Sequence, residues 1–165
     1  MEFVSAQRDM SEVYAGGAPA VFVSGAVWLI AGLIERAYGV RIAFTVLFFG
    51  GILIFPASVA ISRVLFKSPK ANPDNPLNRV AIEGTAMLFA GILAGYVLLH
   101  AAPALALAVV ALAIGARYFT FRSIYDEPVY AALGGILTIA AAVALLRPAV
   151  FSLGIALFVG LAECA

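Results

Sequence analysis

Residues 42–66 read IAFTVLFFGGILIFPASVAISRVLF, and the single charge in those 25 positions is Arg63. As a helix rising about 1.5 Å per residue, such a run exceeds the roughly 30 Å hydrocarbon core of a bilayer. A soluble helix of that length would carry a charged face, and this one carries none. Arg41 precedes the run and Lys67 follows it. The same texture recurs over residues 18–37, 77–100, 104–121 and 128–146, with a shorter run over 149–161. The reading is an all-α, polytopic membrane helical bundle of six transmembrane helices arranged as three hairpins. Residues 1–165 form one integral membrane domain.

Composition agrees. Mean hydropathy is +1.08, 64% of residues are apolar and 12% are charged, and the charges collect between the runs. The net charge of +1 leaves no basic face for nucleic acid. The partner implied is the lipid bilayer, with a homo-oligomer as a further option and no small-molecule substrate identifiable. The one cysteine, Cys164, forms no intrachain disulfide, and with one histidine, His100, no metal site can be assembled. No cofactor motif is present. The first seventeen residues set Arg8 against Glu2, Asp9 and Glu12. They lack a signal peptide's basic start, so the first span reads as a retained helix.

Punctuation sets the boundaries. Three prolines fall within Lys67–Pro76, which excludes helix there. Asn75-Pro76 is a helix start, asparagine capping and proline at the first turn. Pro56 lies inside the second span and is expected to kink it, with Ser58 and Ser62 as nearby polar relief.

Few residues offer chemistry. Glu83, within the third span, is a costly carboxylate and a functional candidate by default. Counting back from the turn at Ala102 places Glu83 level with Thr120, one turn from Arg117. A Glu83–Arg117 intramembrane pair is therefore expected. Tyr118, Arg122 and Tyr125 fall close at helical spacing and outline either a vestibule for anions or a headgroup anchor. Gly91 and Gly95 form a small-xxx-small face for helix packing, within the chain or between copies. No nucleophile–base set, phosphate loop or facing carboxylates can be assembled, so no enzyme is expected.

Several short motifs carry a resemblance. Gly17-Ala18-Pro19 stands before Val23-Ser24-Gly25-Ala26-Val27-Trp28-Leu29. Asn75-Pro76-Leu77-Asn78 opens the third span. Gly115-Ala116-Arg117-Tyr118-Phe119 precedes Ile124-Tyr125. Together they resemble the small bacterial membrane proteins of family DUF7010, with a departure at Thr120-Phe121-Arg122, where that family favours Pro-Tyr-Gly. The resemblance implies six helices and a bacterial inner membrane, and it supplies no activity or site residues. Arginine and lysine counts orient the chain. Arg8, Arg63, Lys67, Lys70, Arg79, Arg117 and Arg122 lie on one side, and Arg36, Arg41 and Arg147 on the other. The positive-inside rule then puts both termini in the cytoplasm. A small transporter or channel-like protein is the functional expectation, and a non-catalytic structural or stress-response protein the alternative.

Overall fold

A computed structural model describes residues 2–151 and 153–165. They form seven α-helices: α1 Phe3–Tyr14, α2 Ala18–Tyr38, α3 Val40–Leu65, α4 Leu77–Ala101, α5 Pro103–Tyr125, α6 Val129–Leu146 and α7 Ile155–Cys164. Helices α2 to α6 realise the five long spans to within a few residues. Each of these five is long and apolar enough to cross a membrane, α2 being counted together with α1. The two ends of the bundle are called here the α1 end and the Gly39 end.

Helix α5 is the axis. It packs against α4, α6, α3, α7 and α1, and ten of its residues, from Ala106 to Ile124, are buried. Small side chains make this possible: Ala106, Ala108, Ala111 and Gly115 let neighbouring backbones approach. Gly91 faces Ala113 of α5, and Gly95 faces the Ala106 carbonyl. The small-residue face of α4 is thus used within the chain.

Helix α3 continues through Pro56 without interruption. The Ser58 hydroxyl donates to the Phe55 carbonyl at 2.8 Å. It therefore does not serve the Ile52 carbonyl, which proline at the next turn leaves without its donor.

Two elements depart from the expected hairpins. Helix α1 was not anticipated. It lies across the α1 end, with Ala6 and Met10 packed against Leu77 and Ile124. Ala15, Gly16 and Gly17 all have positive φ and break it from α2. The second departure is the last span. Ser152, inside the expected 149–161, lies outside the described residues. A 3-10 turn over Pro148–Val150 is followed by α7, whose ten residues rise about 15 Å, half a bilayer core. Helix α7 packs chiefly on α2 rather than on its expected hairpin partner α6. A side chain on Gly160 would lie 2.6 Å from the Leu29 amide nitrogen, and one on Gly32 2.8 Å from that of Leu157. Only glycine permits this contact.

Helices α3 and α4 touch little. Their separation leaves a cleft on one side of the bundle.

Candidate functional site

The cleft is walled by Phe48 and Phe55 of α3 and by Phe89 and Ile92 of α4, with α5 as its floor. Its central part holds about 380 Å³. Toward the α1 end it joins a space of about 530 Å³ bordered by Met10 and Tyr14 of α1. Toward the Gly39 end lies another of about 460 Å³, reaching Thr45 and Tyr96. The flanking side chains Phe49, Leu53 and Phe89 are exposed, so the cleft opens sideways toward whatever surrounds the helices.

Arg117 is the one charge on the walls of its central part. Its position follows from α5. The tight turn at Ala102 fixes the register of α5 against α4, and Gly84 of α4 meets Thr120 of α5. Arg117 stands one turn nearer the Gly39 end and projects into the gap between α3 and α4. Its Nη2 donates to Thr85 Oγ1 at a long 3.4 Å. Its guanidinium carbon lies 5.1 Å from the Phe121 ring centroid, a cation–π contact. Its Nε is buried without a partner. A guanidinium has five N–H donors, and one of them is directed at a protein acceptor. The single ion pair among the described residues is Arg122–Asp126, at the α1 end of α5.

The expected Glu83–Arg117 pair is therefore not formed. The depth argument was sound, but the rotation was not. Gly84 faces α5, so Glu83 and Thr85 lie about 100° to either side of it. Arg117 reaches the Thr85 side, and Glu83 is exposed on the other flank. The expected vestibule is not open either. Tyr118 is buried and its ring stacks on Tyr130. Phe121 contacts Tyr118, Tyr125 and Tyr130 edge-on. Tyr130 donates to the Gly16 carbonyl at 2.5 Å. Tyr118 and Tyr125 belong to an aromatic column that fills the space left where α7 stops short. Arg122 points away from it to Asp126.

A second polar cluster went unnoticed in the sequence. The Tyr118 hydroxyl donates to Glu163 Oε1 at 2.7 Å. Glu163 is 6% exposed, and its Oε2, like Ser24 Oγ, has no partner. The signal was available: a carboxylate within the apolar run 155–164 is as costly as Glu83 was judged to be. Thr85 and Ser24 carried no comparable signal, since single hydroxyls are ordinary in apolar helices.

These features define a class: a polytopic helical protein with helices able to cross a membrane and an apolar lateral cleft holding one unpaired arginine. The chain belongs to the family of unknown function DUF7010, whose model matches residues 3–165. Comparison with curated proteins found no match, and neither did comparison with solved structures.

Proposed function

We propose that this is a small membrane transporter-type protein of the bacterial inner membrane, which takes up a negatively charged, membrane-partitioned solute through the cleft between α3 and α4. One observation carries the reading: Arg117 sits in an apolar cleft with most of its donors unused and, among the described residues, no carboxylate within ion-pair distance, the buried Glu163 being committed to Tyr118. An unpaired guanidinium in such a place is costly, and an anion entering the cleft would relieve that cost. Arginine suits the task, because its planar fork holds carboxylate or phosphate with two parallel bonds. The sideways opening favours entry from the bilayer over entry from water. The seven-to-three distribution of Arg and Lys supports placing the α1 end in the cytoplasm. No catalytic step is proposed.

The test compares two amphiphiles with the same tail, dodecyl phosphate and dodecylphosphocholine, added to the protein in neutral micelles. A ligand that binds only the folded state raises Tm, by several degrees at concentrations well above its Kd. Dodecyl phosphate is expected to raise Tm and dodecylphosphocholine to leave it unchanged. The shift should vanish in Arg117→Gln, measured from that variant's own baseline. Equal shifts by both amphiphiles, or a shift that survives in Arg117→Gln, would overturn the proposal.

A further inference from the structure

We infer that the occupant of the cleft is a single-chain amphiphile, its anionic head on Arg117 and Thr85 and its tail lying along the α3/α4 slot toward Tyr96. This rests on the anion reading above and adds the shape of the ligand. The central and Gly39-end spaces share Phe48, Phe89 and Ile92, so they form one slot. From Thr85 to Tyr96 the slot runs eleven residues of α4, about 17 Å. That is close to one leaflet, half of a roughly 30 Å core. Beyond Arg117 and Thr85 the walls are almost wholly apolar until Thr45 and Tyr96. A small hydrophilic anion would leave this length empty.

Gly51 stands at the middle of the slot. Gly50 and Gly51 are neighbours in α3 with opposite duties. A side chain on Gly50 would run into Val27 of α2, whereas one on Gly51 would meet nothing within 4 Å. Gly51 is thus not needed for packing, and it borders both the central space and a recess of about 40 Å³ that reaches Trp28. The absent side chain leaves the apolar track open between the Arg117 level and the Gly39 end. Charge complementarity at one end and an unobstructed apolar track beyond it select a single tail with an acidic head, either a carboxylate or a phosphate monoester.

Trp28 is the only tryptophan, and it reports on the recess directly. The probe is palmitate carrying bromine at mid-chain, added to the protein in vesicles of unbrominated phosphatidylcholine. Bromine quenches tryptophan at contact. Saturable quenching is expected from the mid-chain probe and much less from palmitate brominated beside the carboxylate. Arg117→Gln should weaken the apparent affinity about ten- to a hundredfold, as loss of a charged hydrogen bond does. Gly51→Leu, whose Cβ has open space and whose longer side chain fills the track, should weaken it by about tenfold or more. Competition by unlabelled palmitate and by lysophosphatidic acid separates the two head chemistries. Quenching that does not saturate, or that is unchanged in Gly51→Leu, places the tail in bulk lipid and overturns the inference. Diacyl phosphatidic acid competing as well as palmitate overturns its single-chain part. The anion reading stands or falls separately, on the Tm selectivity of dodecyl phosphate and its loss in Arg117→Gln.

Discussion

Glu163 and Tyr118 make the one buried polar contact between α5 and α7, and their roles separate by substitution. Tyr118→Phe keeps the ring stacked on Tyr130 but removes the donor from a buried carboxylate. An acceptor stranded in this way costs about 1–3 kcal/mol, and more for a charged group. Glu163→Gln keeps an oxygen for the tyrosine to donate to and removes the charge. Thermal unfolding in detergent should therefore rank Tyr118→Phe below Glu163→Gln. The reverse order would mean that the hydroxyl contributes nothing at this contact. Arg117 was legible as a candidate in the sequence because charge in an apolar run is rare. Its surroundings were not, because hairpin counting gives depth while rotation about the helix axis depends on packing. The face of α4 that meets α5 is written in Gly84, Gly91 and Gly95, spaced seven and four residues apart. Those glycines point α4 at α5, and Thr85 rather than Glu83 then flanks the cleft.

Elements divide by the signal that defines them. The five long helices were visible because bilayer thickness imposes a length on any apolar run. Helix α1 was missed because it is short and polar in part. Its apolar residues Phe3, Ala6, Met10 and Val13 nonetheless fall at helical spacing. What holds it is Asn75, 3% exposed, whose Nδ2 donates to the Ala6 carbonyl at 3.0 Å and to Asp9 Oδ2 at 2.7 Å. The same side chain accepts from the Leu77 amide at 2.9 Å, the capping bond that Asn-Pro announces. Gln7 adds a bond to the Ser123 carbonyl at 2.8 Å. Asn75→Ala should loosen α1 about its positive-φ joint at residues 15–17 and leave α2 in place. Amide hydrogen exchange would show this as faster exchange over residues 3–14, together with the Leu77 amide that Asn75 caps. Unchanged protection there would locate the anchor of α1 in its apolar contacts instead. For α7 the glycines make the prediction. Gly160→Ala puts a methyl against the Leu29 backbone and should cost about 1–3 kcal/mol by overpacking. Gly51→Ala, with open space before it, should be neutral or slightly stabilising, since alanine is the better helix former. Equal Tm values for the two variants would contradict the close α2–α7 contact.

At the scale of the molecule, the half-length of α7 decides how the bundle is filled. Beside it, α2 continues toward the α1 end past Gly25, where Cys164 packs. The column of Tyr118, Phe121, Tyr130 and Tyr125 occupies the remaining depth down to Gly17, which faces Tyr125 and Tyr130. The chain thus replaces half a helix with side chains from α5 and α6, and hydropathy alone could not foresee it. A labelling prediction follows from this geometry joined to the positive-inside rule. Cys164 sits seven residues along α2 from its start at Ala18, about 10 Å inward of the α1 end. In intact cells the native thiol should react slowly with a membrane-impermeant maleimide, and permeabilisation should change this little. In a Cys164→Ser background, Ser68→Cys in the proline-rich loop should label only after permeabilisation. Ala101→Cys, exposed at the opposite turn, should label in intact cells. The reverse pattern would invert the orientation. Arg117, which stands nearer the α1 end of α5 than its Pro103 end, would then lie on the outer side of the bundle, and the slot beyond it would run toward the cytoplasm.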